Sequence, residues 1–162
     1  MPWSSKAVAN HILHLAKAEG VQVTPMQLNK LVYITHGWHL ALTGDPLINE
    51  TAEAWKYGPV VSSLYQEFKR FGRTPITKFA VEWEGDNPVT AKLPVGAEEA
   101  KDIIERVRKA YSGYSGLQLS ALTHKKGTPW AKAWATGGGY TYIRCPIPDG
   151  DIRDHYLRRS AS

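Results

Sequence analysis

The stretch Thr24-Pro25-Met26-Gln27-Leu28-Asn29-Lys30-Leu31-Val32-Tyr33-Ile34-Thr35-His36-Gly37-Trp38-His39-Leu40-Ala41-Leu42-Thr43-Gly44 carries the clearest structural instruction in the chain. Thr24 with Gln27 is a capping-box pattern, in which a hydroxyl and an amide satisfy backbone groups that a helix start leaves open. Pro25 suits the first helical position, where no N–H is needed. Leu28, Leu31, Thr35, Trp38 and Leu42 keep a spacing of three or four, while Ile34, Gly37 and Ala41 add apolar or small residues on another side. A helix apolar on most sides belongs in the interior. The expectation is a central buried helix that Gly44 ends and Asp45-Pro46 turns away from.

The flanking sequence adds shorter elements. Ser4 or Ser5 caps a first helix running to about Glu19, with Val8, Ile12 and Leu15 at helical spacing and Gly20 as its stop. From Thr51 to Tyr57 alternation places Glu53, Trp55 and Tyr57 on one face of an extended segment. Tyr57-Gly58-Pro59 is expected to break it and to start a helix bearing Val60, Val61, Leu64, Tyr65, Phe68 and Phe71, with Gly72 as its stop. Residues 73–94 have little helical periodicity. They read as a long, variable loop with a short hairpin around 79–83 and 90–93, and as the most mobile segment. A helix opens at Glu98 and Glu99. Ser115 with Gln118 is a second capping box, its helix ending at Gly127. Thr128-Pro129 caps another, placing Trp130 and Trp134 one turn apart. Gly137-Gly138-Gly139 is a break, and Asp149 caps a last helix with Ile152, Tyr156 and Leu157 inside. The fold expected is mainly α with a small antiparallel β element: a single compact helical domain, residues 1–162, around a central buried helix.

Composition excludes several classes. The 162 residues are 43% hydrophobic and 22% charged, ordinary for a globular chain. The single cysteine, Cys145, excludes an internal disulfide framework and a multi-thiolate zinc site. The uncharged stretch 31–44 is too short to span a bilayer. No secretory leader pattern opens the chain, so a cytoplasmic location is expected. The net charge is +5, and six tryptophans accompany eight tyrosines.

The chemistry-bearing residues form no catalytic set. His36 and His39 share a helix face, but no cysteine or carboxylate lies nearby in sequence to complete a metal site. They read as a polar pair hydrogen-bonded to the following loop. Cys145, between Arg144 and Pro146, has no assigned base and reads as inert. No serine sits in a nucleophile elbow. Glu50, Glu53, Glu82, Glu84 and Asp86 read as solvating groups. The glycine run has no phosphate-binding lysine after it. No catalytic residue, cofactor or metal is therefore expected. The basic clusters Lys69-Arg70-Arg73, Arg106-Arg108-Lys109, Lys125-Lys126 and Arg158-Arg159 each fall near a predicted helix C-terminus, where cations offset the macrodipole. Nucleic acid is permitted as a partner but not favoured, and no membrane contact is expected. The aromatics suit protein contact, because Trp and Tyr bury large areas and keep a polar handle.

Three blocks carry a family resemblance. The first is Lys30 to His39, with Tyr33, His36 and Trp38. The second is Glu53-Ala54-Trp55-Lys56-Tyr57-Gly58-Pro59-Val60-Val61, continued by Leu64, Tyr65 and Phe68. The third is Leu119 to His124, with Thr123, and on through Gly127-Thr128-Pro129-Trp130. Together they resemble the Panacea domain, the SocA-like antitoxin family of phage-associated proteins. Thr128 stands where serine is common and keeps the capping hydroxyl. The resemblance implies an antitoxin, encoded beside its toxin and often in prophages, that neutralises the toxin by direct binding. It implies that Lys30, Tyr33, His36, Trp38, Gly58, Leu64, Tyr65, Thr123, His124 and Pro129 are mostly fold determinants. Trp55, Lys56, Tyr57, Pro59 and Trp130 are the candidate partner-binding residues, together with the 73–94 loop. Two alternatives stand beside this reading. One is a DNA-binding regulator of its own operon. The other is an adaptor delivering the toxin to a protease, with a signal in a mobile tail at 158–162.

Overall fold

The computed structural model describes residues 2–137 and 145–161. Seven α-helices and five short strands occupy them: α1 (Ser5–Ala18), α2 (Pro25–Thr43), β1 (Glu53–Trp55), β2 (Gly58–Val60), α3 (Ser62–Phe68), β3 (Val81–Glu84), β4 (Asn87–Thr90), α4 (Glu98–Ala110), α5 (Gly116–His124), α6 (Pro129–Thr136), β5 (Cys145–Pro146) and α7 (Asp149–Ser160). The chain is thus mainly α with small antiparallel β elements.

Local chemistry sets most helix ends. Both capping boxes form: Thr24 accepts from the Gln27 N–H, and Ser115 accepts from the Gln118 N–H. Ser4 caps α1 and Thr128 caps α6, each by accepting an N–H three residues on. Asp149 does not cap α7. Pro148 holds that position without a side-chain bond, and the Asp149 carboxylate is used elsewhere. Helix α5 ends at His124, short of Gly127. Gly137 closes α6, while Gly138 and Gly139 lie outside the described residues.

Helix α2 is central. It packs against α1, α3, α4, α5, α7 and β2, and Leu28, Val32, Ile34, Thr35 and His36 are fully buried. The core joins these to Val8 and Ile12 of α1, Leu64 and Phe68 of α3, Ile104 of α4, Leu119 of α5, and Ile152 and Tyr156 of α7. Leu157, expected inside with them, is only half-buried.

Two departures from the sequence reading have physical causes. Gly58–Val60 is a strand, paired antiparallel with β1 in the register Trp55↔Gly58, Ala54↔Pro59 and Glu53↔Val60, and β5 pairs on the other side of β1. Pro59 suits a helix start and an edge strand equally, since both forgo an N–H. The side chain of Asn29 decides between them. It accepts from the Val61 N–H at 2.9 Å and donates to the Val61 carbonyl at 3.1 Å, standing in for a neighbouring strand. Helix α3 therefore starts only at Ser62.

The second departure concerns 73–94. Its hairpin pairs Val81 with Thr90 through Glu84 with Asn87, closer to its turn than the residues expected. Buried Asn10 clasps both arms: it donates to the Ala80 and Ala91 carbonyls and accepts from the Ala80 N–H, all within 2.9 Å. Ala80 and Ala91 are buried. Three bonds to one core side chain tie the base of this hairpin to α1, where a long loop with a short hairpin was expected.

Candidate functional site

The β1–β2 hairpin is the structural meeting point of the sequence blocks. The Trp130 indole N–H donates to the Trp55 carbonyl at 2.6 Å, and the Ser120 hydroxyl donates to the Tyr57 carbonyl at 2.6 Å. The His124 ring meets Trp130 edge-on at 5.3 Å, and its Nδ1 lies on the Ser120 carbonyl. Thr123 is buried with its hydroxyl on the Leu119 carbonyl, and Pro129 is buried at the start of α6. From the other side, Lys30 of α2 donates to the Pro59 carbonyl at 2.6 Å. Gly58 has φ +123, and a Cβ there would lie 3.3 Å from the Lys30 ammonium. A side chain at this position would meet both a backbone angle that L residues avoid and the lysine head.

A groove of about 480 Å³ opens above the hairpin. Trp55, Lys56, Tyr57, Val60, Leu64 and Tyr65 line one side, and Met26, Asn29 and Lys30 of α2 line the other. Tyr57 is 66% and Tyr65 41% exposed. Trp55 packs against Tyr65 with ring centres 4.8 Å apart and planes tilted by 52°, and its indole N–H donates to Glu53 at 2.9 Å. The Lys56 ammonium lies 5.4 Å from the centre of the Tyr57 ring.

Of the five partner-binding candidates, Trp55, Lys56 and Tyr57 line this groove, whereas Pro59 and Trp130 are buried and hold the hairpin from beneath. Tyr65, expected to be a fold determinant, lies in the groove. No residue of 73–94 lines it.

Lys30 is the unusual group. It is only 4% exposed. Among the described residues no carboxylate comes within ion-pair distance of it. Burial lowers its pKa from 10.5 to about 8, because the charged form loses hydration without gaining a counter-charge. Between those two values the unfolded chain holds the proton more tightly than the folded one, so folding stability rises with pH from about 8 to 10.5. Below pH 8 the penalty is complete, on the order of 3 kcal/mol. Lys30→Met is therefore expected to be at least as stable as the parent at pH 7, and its advantage should shrink as pH rises toward 10.5. Urea midpoints across that range measure this. A large loss of stability at pH 7 would show instead that the lysine serves the fold.

The two histidines of α2 have other work. The His36 Nδ1 accepts from the N–H groups of Leu47 and Ile48, at 3.2 and 3.4 Å, and its Nε2 lies 2.9 Å from Asp149. Donors on Nδ1 place the proton on Nε2, which donates to the carboxylate. Both ring nitrogens are thus taken. His39 donates through Nδ1 to the Asp45 carbonyl at 2.7 Å. Both histidines bind the following loop. Tyr33 is buried with no partner for its hydroxyl among the described residues, and burial and the nearby Asp149 push its pKa up. Trp38 is half-buried and donates to the Tyr111 hydroxyl at 3.2 Å. Glu50 accepts from both the hydroxyl and the N–H of Ser63, which satisfies the open start of α3. No group of three or more metal-ligating side chains occurs among the described residues.

Comparison with known proteins places this arrangement. The family profile of the antitoxin SocA-like, Panacea domain matches residues 28–131, from α2 through the hairpin to Trp130 and Ala131. Antitoxin SocA of Caulobacter vibrioides (strain NA1000 / CB15N) is 34% identical over 161 residues, covering 98% of this chain and 85% of that protein. The chain belongs to the SocA-like Panacea antitoxin family. No solved structure matches it significantly. Membership gives the chain an antitoxin role and implies a toxin as its partner. No helix among the described residues is long and apolar enough to cross a membrane. Sequence reasoning passed over Asn10 and Asn29, and it read Glu50 as a solvating group where the structure uses it to hold the start of α3. Their signal, an amide or carboxylate whose partner is distant backbone, has no local spacing.

Proposed function

We propose that this SocA-like Panacea protein neutralises its toxin by binding it directly, through the groove of Trp55, Lys56, Tyr57 and Tyr65. The observation that carries the reading is the pairing of two exposed tyrosines with a rigid support. Exposed aromatics held in place by buried hydrogen bonds lose little freedom on binding, which favours an interface hot spot. The toxin would be the product of an adjacent gene, and the antitoxin would act without catalysis.

The test is coexpression with the neighbouring gene's product. Growth should be rescued and the two proteins should copurify. Tyr57→Ala combined with Tyr65→Ala is expected to weaken binding by roughly thirtyfold or more, since hot-spot truncations cost about 2 kcal/mol or more. Unchanged helical circular dichroism would show that the fold is kept. Absence of both rescue and copurification would overturn direct binding.

The structure lends the two alternatives less support. Arg108 is buried in an ion pair with Glu19 at 2.7 Å, and Arg106 pairs with Asp102, so that basic cluster is partly consumed internally. Arg158 and Arg159 lie within α7, where a mobile signal-bearing tail was expected.

A further inference from the structure

Lys30 places a charge at the floor of the groove, and no carboxylate among the described residues neutralises it. Proteins rarely bury an ammonium without a carboxylate, because the lost hydration goes unrepaid. An ammonium has three donors, and this one uses one of them, on Pro59. Two further cations, Lys56 and Lys69, line the same groove, and no acidic residue does. The remaining lining is apolar or aromatic, with Met26, Val60 and Leu64 beside Trp55, Tyr57 and Tyr65.

We propose that the groove receives a short acidic segment of the toxin, in which one Asp or Glu side chain meets the Lys30 ammonium and a neighbouring bulky apolar side chain lies against Trp55, Tyr57 and Tyr65. This rests on the groove being the toxin-binding face. Lys56 and Lys69 steer the segment and favour further carboxylates along it. Three cations spread over floor and rim suit several side-chain carboxylates better than a single chain terminus. Lys30 then has a role that explains its burial: it is a charge held dehydrated until the toxin supplies its counter-ion.

The experiment uses the full-length protein and overlapping peptides that cover the toxin sequence, acetylated and amidated at their ends, beside a matched set with free C-termini. An acidic peptide with an adjacent bulky apolar residue should bind. Changing its carboxylate to the amide (Asp→Asn or Glu→Gln) should weaken binding to the unaltered protein by about thirtyfold, as expected when one partner of a buried charge pair is removed. Lys30→Met should lose the same factor and become indifferent to that peptide change. If the amide peptide binds equally well, or only a peptide with a free C-terminus binds, the side-chain carboxylate proposal is overturned. Retained sensitivity to Tyr57→Ala and Tyr65→Ala in that case leaves the groove as the contact face. Full-length toxin binding that ignores all of these changes overturns the groove reading itself.

Discussion

Replacing Gly37 by alanine is expected to destabilise the protein by about 3 kcal/mol, although the same exchange on an exposed helix stabilises by about 1 kcal/mol. A Cβ at this position would fall 2.2 and 2.3 Å from two ring carbons of Tyr156, well inside contact distance. The ring cannot swing aside. Tyr156 is 4% exposed, with Trp38 at 5.1 Å and His155 at 4.9 Å between ring centres. The two helices must therefore part, and α2 and α7 share an extensive contact along the core. Urea unfolding should show a lower midpoint with an unchanged slope. Gly37→Ala combined with Tyr156→Leu should lose less than the sum of the two single changes, because the second removes the clash caused by the first. Additive losses would show that the alanine acts elsewhere.

His36→Leu is expected to cost a similar amount, about 3 kcal/mol, by a different route. The imidazole is fully buried and is the acceptor for the N–H groups of Leu47 and Ile48. A leucine fills the space but leaves both donors without water or protein, at about 1–3 kcal/mol each, partly relieved by local shifts. The damage should spread to the N-terminus, since Trp3 exchanges backbone bonds with Leu47 and Asn49, at 2.7 and 2.9 Å. For a chain of this length the melting temperature should fall by roughly 6–12 °C. Asp149→Asn should cost under about 1 kcal/mol. That side chain is 42% exposed, and an amide oxygen still accepts from the His36 Nε2. Equal losses for the two variants would assign the effect to the ion pair rather than to the loop amides.

The helices were largely legible because their signals are short-range. Thr24 with Gln27, Ser115 with Gln118 and Thr128 with Pro129 act within one turn, and all three mark real helix starts. The central place of α2 followed from apolar residues on most of its sides. Basic residues do close α4 and α7, as macrodipole chemistry expects. The groove was legible only in part. Trp55, Lys56 and Tyr57 were singled out by their aromatic and charged character, but nothing near Pro59 or Trp130 in sequence shows that they face inward. Tyr65 looked like one more apolar step of a helix, and only the hairpin beside it makes it a groove wall.

By itself the sequence determined where α1, α2, α4, α5 and α6 begin, which helix lies at the centre, and which family the chain resembles. These depend on contacts between residues one to four apart, or on motifs read in order. The tertiary structure alone decided that Gly58–Val60 is a strand, that Asn10 and Asn29 replace missing strand neighbours, and that Lys30 lies dehydrated under an aromatic groove. Each depends on a polar side chain meeting backbone far along the chain: Lys30 with Pro59, Asn29 with Val61, Asn10 with Ala80 and Ala91. Such pairings leave no period in the sequence, because hydrogen bonds are set by position in space, and that position exists only once α2 has been enclosed.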